Sequence, residues 1–239
     1  MGSVRLHLLE HDPLDFTKTN VTRWAENKGY EVKQTYVCDM QELPSVSDFD
    51  WLMVMGGSQH AWEEKIHPWL FGEKLFIADA LEKGKIILGI CFGAQLLAEV
   101  LGGRVFPNPY REIGWYEVSQ TAEGKKSFLF RNIPETFFTF HWHSDHFSLP
   151  PGCVRLAYSQ ATPNQAFMCT HQPIAGVQFH PEYTIEMIKH FSREYSDDWA
   201  PDLFVSGKER VLAETEKFPD TYWLMEALLT NMHEAYVGV

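Results

Sequence analysis

The residue best suited to covalent chemistry is Cys91, which lies between an apolar run and a helical pattern. The segment from Ile86 to Gln95 reads IILGICFGAQ, so a glycine stands two positions before the cysteine and another two positions after it. This is the pattern of a nucleophile elbow, with cysteine in place of serine. The sharp turn strains the backbone of the nucleophile, and side chains at Gly89 or Gly93 would clash.

The elbow also predicts how Cys91 is activated. The N-terminus of the following helix lies beside the sulfur, and its dipole favours the thiolate over the thiol. The backbone amide of Phe92 is left free to donate to an oxyanion. A buried structural cysteine is the alternative, but the strand, both glycines and the helix together favour a nucleophile.

A base for this thiol is predicted at His180, in the segment GVQFHPE that ends at Glu182. An apolar run again leads into a polar cluster, and Pro181 restricts the turn after the histidine. His180 can accept the thiol proton, and Glu182 can accept a hydrogen bond from the other ring nitrogen and so fix the tautomer. In open α/β sheets, sites form at the carboxyl ends of strands, where Cys91 and Gly57 are also expected.

Two adjacent glycines, Gly56 and Gly57, follow a third apolar run, Trp51–Met55. Without a Cβ, their backbone amides can approach a substrate closely. We predict that this segment supplies the second donor of an oxyanion hole, although an ordinary turn would need the same residues.

The elements that must bring these groups together alternate between strand and helix. This alternation predicts an α/β fold, a three-layer sandwich with a mostly parallel central sheet. The strands are predicted at Arg5–Leu9, Glu31–Val37, Trp51–Met55 and Ile86–Ile90, and the helices at Phe16–Lys28, Pro68–Lys83, Gln95–Leu101 and Ile185–Phe191. Short β-like runs between Arg104 and Val177 predict extra antiparallel strands: Trp115–Val118, Phe137–Phe140, Arg155–Ser159, Ala166–Thr170 and Ile174–Phe179.

Residues 193–239 are predicted to form an acidic helical extension packed on the domain in residues 1–192. From Glu194 onwards this part of the chain has ten acidic and three basic residues. A final helix, capped by Asp220 or Thr221, would place four apolar side chains on one face: Leu224, Leu228, Met232 and Ala235. We expect this face to pack on the same domain, and a homodimer or partner contact is the alternative.

Composition and charge exclude several classes of protein. Of 239 residues, 45% are hydrophobic and 22% are charged, which is typical of a globular domain. The formal net charge of −12 opposes polyanions, so we expect neither nucleic acid nor an anionic membrane as a partner. No membrane span or signal peptide is evident, and no CxxC pair occurs. We therefore expect a cytoplasmic protein with reduced thiols, in which Cys38, Cys153 and Cys169 are structural.

The three motifs together resemble those of class I glutamine amidotransferases. They occur in the family's order and spacing over roughly residues 5–192, and are most similar to the amidotransferase domain of GMP synthetase and its stand-alone relatives. The resemblance implies a flavodoxin-like fold and hydrolysis of the glutamine side-chain amide, through a γ-glutamyl thioester on Cys91, to glutamate and ammonia. His180 would transfer protons, Glu182 would orient it, and the amides of Gly57 and Phe92 would hold the oxyanion.

The same resemblance implies contacts with the substrate. Gln95 matches a family glutamine that contacts the amino-acid end of the substrate. The segment FHWHSDHF matches a family loop whose backbone contacts the α-amino and carboxylate groups, which points to Trp142, Ser144 and Asp145. The family often has glycine at the position of Ser144. The segment REIGW, which begins at Arg111, matches a family segment that we interpret as structural support.

A metal site is the alternative interpretation of this histidine-rich segment. Alternation along a strand would place His141, His143 and Asp145 on one face, and such a face could bind zinc. The family loop already accounts for the pattern, and thiolate chemistry needs no metal. We therefore expect neither a metal nor another cofactor.

Three functions remain open from the sequence. Class I domains usually supply ammonia to a synthetase, but the residues after 192 are too few to form one and no P-loop pattern occurs. The chain could be a glutaminase that docks on a separate synthetase, or a γ-glutamyl peptidase or transferase that acts on a larger γ-glutamyl compound. The third function, a non-catalytic binding or regulatory module, is disfavoured because Cys91, His180 and Glu182 are all intact.

Overall fold

Strands and helices alternate along the first half of the chain, as the sequence predicts. The computed structural model describes residues 3–12 and 19–238. The strands are β1 (Arg5–Glu10), β2 (Glu31–Tyr36), β3 (Trp51–Val54), β4 (Ile86–Ile90), β5 (Val105–Gln120), β6 (Thr136–Phe147), β7 (Cys153–Tyr158), β8 (Ala166–Cys169), β9 (Ile174–Val177) and β10 (Phe204–Val205). The helices are α1 (Asn20–Lys28), α2 (Trp69–Glu82), α3 (Phe92–Val100), α4 (Ile185–Glu194), α5 (Lys208–Ala213) and α6 (Phe218–Tyr236).

Five parallel strands form the centre of the sheet, in the order β2-β1-β3-β4-β9. Every residue of β3, β4 and β9 is buried, because helices cover both faces of the sheet. Apolar side chains of α1 and α6 pack on one face, and those of α2 and α3 pack on the other. The predicted three-layer α/β sandwich is therefore confirmed.

The antiparallel part of the sheet is larger than the sequence predicts. Strands β8, β7 and β5 follow β9 in antiparallel order, and β6 pairs with β5 in a long hairpin. β5 has 16 residues and β6 has 12, whereas only short runs were expected. Most of the first half of β5 is exposed or half-buried, so its sequence lacks an apolar pattern. The run at Ile174 also differs from expectation, because β9 pairs in parallel with β4 and so belongs to the central sheet.

Several helix boundaries also differ from the predictions. α3 begins at Phe92 instead of Gln95, because the turn at Cys91 leads directly into the helix. α6 begins at Phe218, so the expected cap at Asp220 or Thr221 is wrong and these positions lie inside the helix. A proline in the first turn favours this earlier start. The first residues of the helix predicted from Phe16 lie outside the described residues, and α1 is described from Asn20.

The final helix covers one face of the sheet. α6 has 19 residues, and its apolar stripe packs into the core beside α1. Two polar contacts fix its position: the Trp24 indole donates to Thr230 Oγ1 at 3.0 Å, and the Asn231 side-chain amide donates to the carbonyl oxygens of Leu129 and Arg131. No helix in the described parts of the chain, α6 included, is long and apolar enough to cross a membrane.

The cysteines correct one expectation. Cys153 and Cys169 were expected to be reduced, but they form a disulfide between β7 and β8. The strand register places the two residues directly opposite each other, with Cα atoms 4.0 Å apart. Their separation of 16 residues gives no hint of this pairing in the sequence. Cys38 and Cys91 are the free cysteines of the described residues.

Truncation of a buried α6 side chain tests how much this helix stabilises the fold. Leu228 is fully buried, so Leu228→Ala should lower the free energy of unfolding by about 2–5 kcal/mol, measured by urea denaturation. Glu226→Ala, an exposed position on the same helix, is the control and should change the stability by no more than about 0.5 kcal/mol. Equal effects of the two substitutions would show that α6 contributes little.

Candidate functional site

The turn at Cys91 has the strained geometry of an elbow. Cys91 adopts φ 51° and ψ −108°, a backbone conformation that residues with a Cβ rarely adopt. A Cβ at Gly89 would lie 2.6 Å from the carbonyl carbon of Gly93, and a Cβ at Gly93 would lie 1.9 Å from Val54 O. Both positions therefore require glycine, for the reason that the sequence predicts.

The Cys91 sulfur lies in a buried polar environment. The residue is 4% exposed, and Sγ lies 3.7 Å from the carbonyl oxygen of Trp142. The side-chain amide of Gln178 donates to Sγ at 3.4 Å, and its oxygen accepts a hydrogen bond from Gln95. Gln178 was not predicted as a site residue, although it lies in the segment that contains His180.

His180 lies just beyond the end of β9, close to Cys91. Its Nδ1 lies 2.7 Å from Glu182 Oε1, and both side chains are almost completely buried. Its ring stacks on Tyr183 with a centroid distance of 4.2 Å. Nε2 is buried, and its interaction partner among the described residues is the Cys91 sulfur. This nitrogen is therefore available to exchange a proton with a reactant.

The charges around His180 favour its protonated form. Burial alone lowers the pKa of His180, but the Glu182 carboxylate and the Cys91 sulfur outweigh burial and raise the pKa to about 10. An imidazolium at this position stabilises a neighbouring thiolate. Nδ1–H then donates to Glu182, so the carboxylate also fixes the orientation of the ring.

Two residues with free backbone amides line the same cleft. Gly56 and Gly57, here called the glycine loop, follow β3, and Gly57 lines a cleft together with Cys91 and Phe92. Neither the Gly57 nor the Phe92 amide has a hydrogen-bond acceptor among the described residues. The first amides of a helix have no acceptor within that helix, which explains the free amide of Phe92. Both donors are thus available to a ligand.

The cleft has a volume of about 450 Å³ and is lined by all four predicted substrate-contact residues, Gln95, Trp142, Ser144 and Asp145. Ser144 is exposed, whereas Gln95 is buried and donates to the backbone oxygen of Asp145 at 3.2 Å. The Asp145 carboxylate lies 2.5 Å from His60 Nδ1, which also lines the cleft. The structure therefore places these residues around one cavity that includes the sulfur.

The outer wall of the cleft was not predicted. Tyr195 and Asp198 come from the segment after α4, and they connect to the rest of the site by hydrogen bonds. The Tyr195 hydroxyl donates to Asp12 Oδ1 at 3.1 Å, and the Trp142 indole donates to Asp198 Oδ2 at 2.7 Å. Arg111 donates to the carbonyl oxygen of Asp198. Tyr195 and Asp198 carry no motif, so the sequence gives no signal for them.

The histidine-rich strand forms a different cluster from the one considered for zinc. His141 and His143 group with Glu112 of β5, their ligand atoms all within 4.8 Å, whereas Asp145 turns to His60. Burial alternates from His141 to Asp145, which is the pattern expected of one face of β6, and the irregularity in the β5–β6 pairing lies between Pro107 and Glu112 of β5. Glu112 Oε2 lies 3.0 Å from His143 Nε2. This oxygen also accepts hydrogen bonds from Thr162 and Gln165.

The electrostatics of this cluster fit a buried anion held by hydrogen bonds. Burial alone raises the pKa of Glu112, but His141 and His143 outweigh burial and lower the pKa to about 2. The oxygen that would bind a metal is already shared by three hydrogen-bonding groups. The cluster therefore connects β5 to β6 at the cleft, which His143 also lines.

Comparisons with known proteins agree with this geometry. The model of the family "Glutamine amidotransferase class-I" matches residues 12–192. The glutamine amidotransferase-like protein YfeJ of Salmonella typhimurium is 30% identical, over 96% of this chain and 99% of that protein. The glutamine-hydrolysing GMP synthase of Lachnospira eligens is 29% identical over 75% of this chain, which spans only 34% of that synthase. A glutamine amidotransferase structure from Thermotoga maritima, 27% identical, matches 98% of this chain and 100% of its own with a TM-score of 0.86.

A titration of His180 tests the electrostatics of the site. NMR of histidine-labelled protein should show His180 still protonated at pH 8. In Glu182→Gln and in Cys91→Ala its pKa should fall, because each variant removes a negative charge that opposes the effect of burial. His7, whose pKa burial lowers to about 4, is the internal control and should titrate alike in all three proteins. A wild-type His180 that titrates near pH 6.5 would contradict this electrostatic model.

Proposed function

The chain belongs to the class I glutamine amidotransferase family, and we propose that it hydrolyses the side-chain amide of glutamine through a thioester on Cys91. One observation carries this proposal: a strained, buried cysteine shares one cleft with a His–Glu pair and with two residues whose backbone amides have no acceptor in the described part of the chain. A nucleophile, an acid–base group and oxyanion donors are the parts that acyl transfer requires.

In the first half of the proposed reaction, the Cys91 thiolate attacks the amide carbon of glutamine. The amide oxygen becomes an oxyanion, which accepts hydrogen bonds from the amides of Gly57 and Phe92. His180 then donates a proton from Nε2 to the amide nitrogen, the C–N bond breaks and ammonia leaves. The γ-glutamyl group remains on sulfur as a thioester.

In the second half of the proposed reaction, His180 acts as a base, and loss of the negative charge on the Cys91 sulfur favours this role. Because the Cys91 sulfur is one of the groups that raise the pKa of His180, acylation lowers this pKa and makes the neutral imidazole a better base. His180 takes a proton from water, which attacks the thioester carbon at the same oxyanion site. The C–S bond breaks, the sulfur leaves as the thiolate, and glutamate is released. Glu182 keeps the imidazole oriented in both steps.

The amino-acid end of glutamine would lie towards Gln95 and Asp145. The Asp145 carboxylate, held by His60, is a suitable acceptor for an α-amino group. The backbone of Trp142 and Ser144 lines the same side of the cleft. We propose these residues as the glutamine-binding end of the site.

Glutamine hydrolysis tests the mechanism directly. The purified chain should release ammonia and glutamate from glutamine, and Cys91→Ala should lower kcat by roughly 10³-fold or more. Cys38→Ser, at the other free cysteine, is the matched control and should retain wild-type activity. Full activity in a Cys91→Ser protein would contradict the thioester mechanism.

If the wild type does not hydrolyse glutamine, labelling of Cys91 would distinguish the remaining functions. If Cys91 still reacts with a glutamine-mimicking electrophile, the site is assembled but awaits a partner. A separate synthetase is the partner that the relatives suggest, since one of them is a GMP synthase of which this chain spans about a third. If Cys91 is inert as well, the chain is a binding or regulatory module.

A larger γ-glutamyl compound is the second candidate substrate. The cleft volume of about 450 Å³ lies within the range of sites that hold drug-sized ligands, and glutamine is smaller than these. Its outer wall contains charged groups from Arg111 and Asp198, beyond the region proposed for the glutamyl group. These groups could recognise the part of a peptide that leaves with the γ-amide nitrogen.

Substrate competition distinguishes the two candidates. If the outer wall binds a leaving group, kcat/KM for a γ-glutamyl dipeptide should exceed that for glutamine, and Asp198→Asn should lower the ratio of the two values by about tenfold, equivalent to ~1.4 kcal/mol. The glutamine value serves as the control within each protein. A ratio below one that does not respond to the substitution would exclude the larger substrate.

A further inference from the structure

A buried histidine outside the proposed catalytic set contacts the glycine loop from behind. His11 directly follows β1 and is 1% exposed. Its Nδ1 lies 3.2 Å from the carbonyl oxygen of Gly56, and its Nε2 lies 2.8 Å from Glu73 Oε1 of α2. The side chains of both His11 and Glu73 are completely buried. Such a pair is costly to bury unless its hydrogen bonds are well formed.

The hydrogen bond to Gly56 acts on the proposed oxyanion donor itself. The carbonyl group of Gly56 and the N–H group of Gly57 belong to the same planar peptide unit, in which they point in opposite directions. A hydrogen bond that fixes the direction of the Gly56 carbonyl therefore also fixes the direction of the Gly57 N–H. The N–H lies on the opposite side of the peptide unit, towards the cleft that Gly57 lines. Hydrogen bonding at the carbonyl also polarises the unit and strengthens the N–H as a donor.

The protonation of His11 follows from its neighbours. The Gly56 carbonyl can only accept a hydrogen bond, so Nδ1 must carry a proton. A second proton lies between Nε2 and the Glu73 carboxylate. Burial opposes the charged imidazole, but Glu73 outweighs burial and raises the pKa of His11. His11 is therefore held as a donor towards the glycine loop.

Packing brings the same ring against both proposed donors. A Cβ at Gly57 would lie 2.7 Å from His11 Cβ, so the loop fits against the histidine without space between them. The His11 ring also meets the ring of Phe92 edge-on, with a centroid distance of 4.9 Å, and Trp69 stacks on it at 5.8 Å. His11 thus contacts both Gly57, which follows β3, and Phe92, which follows β4.

We propose that His11, held by Glu73, is a positioning residue that orients the Gly56–Gly57 peptide so that its N–H faces the developing oxyanion. This inference rests on the proposed function, because it takes the Gly57 amide as an oxyanion donor. His11 acts through the peptide, without contact with the substrate.

Two substitutions at His11 separate positioning from general packing. The amide nitrogen of asparagine falls near the position of Nδ1, so His11→Asn retains a donor towards Gly56. The amide nitrogen of glutamine falls near Nε2, so His11→Gln donates towards Glu73 instead. We expect His11→Gln to lower kcat by about 10²-fold with KM nearly unchanged, as for the loss of one oxyanion donor. His11→Asn should recover kcat to within about tenfold of the wild type.

Alkylation of Cys91 by iodoacetamide provides the control reaction. The thiolate displaces iodide from a saturated carbon, so a C–S bond forms without an oxyanion, and the rate depends on the thiolate and His180 alone. The rate should be the same in the wild type, His11→Gln and His11→Asn. A rate that falls together with kcat, or equal kcat values in the two variants, would overturn the inference.

A variant pair at Glu73 gives the same test if His11→Gln does not fold. Glu73→Gln keeps a polar partner for Nε2 and should retain most of kcat, whereas Glu73→Leu removes the partner and should lower kcat with alkylation unchanged. Equal kcat values in these two variants would overturn the inference.

Failure of the proposed function is distinguishable from failure of this inference. An inactive wild type contradicts glutamine hydrolysis, whereas the orientation of the peptide is visible without turnover. A crystal structure of His11→Gln should show the Gly56–Gly57 peptide rotated or in several orientations. A single, unchanged orientation would overturn the inference whether or not the enzyme hydrolyses glutamine.

Discussion

The site depends on the close approach of helix α3 to the end of strand β3. The carbonyl oxygen of Val54 occupies the space where a Cβ of residue 93 would lie, and the amide of Gly93 donates to Met55 O at 3.1 Å. This contact fixes the start of the helix, which carries Cys91 and Phe92, against the strand that leads into the glycine loop. The distance between the backbone of Cys91 and the amide of Gly57 is therefore set by backbone packing and not by flexible side chains.

The charges of the buried side chains are the second constraint on this site. Three ionisable groups, Cys91, His180 and Glu182, are buried together, and none of them is stable as an isolated charge in this environment. A protonated His180 lies between the Glu182 carboxylate and the Cys91 sulfur and offers a partner to each. In the proposed reaction, acylation of Cys91 would remove one of these partners and so convert the imidazole from acid to base. The His11–Glu73 pair behind the glycine loop would keep its charges throughout.

Local patterns predict the site better than they predict its surroundings. The elbow and the segment that contains His180 are readable because their glycines and polar residues are determined by a few neighbouring positions. His11 and Glu73 are 62 positions apart, and the pairing of Cys153 with Cys169 depends on strand register, so neither is encoded locally. β5 was underestimated because its exposed half has no apolar alternation, and the cap of α6 was misplaced because a proline begins the helix earlier. Long-range contacts decide the His11–Glu73 and Cys153–Cys169 pairings, whereas the start of α6 follows from a local proline signal.

Part of the outer wall of the cleft comes from a later stretch of the chain than the groups proposed for chemistry. The groups proposed for chemistry lie within residues 12–192, where the family model matches, whereas Tyr195 and Asp198 of the outer wall follow it. Substitutions at Tyr195 or Asp198 would change which ligands fit the outer part of the cleft. The elbow, the His–Glu pair and the glycine loop would stay as they are. In the proposed reaction, the choice of substrate and the bond-breaking chemistry would thus depend on largely separate sets of residues.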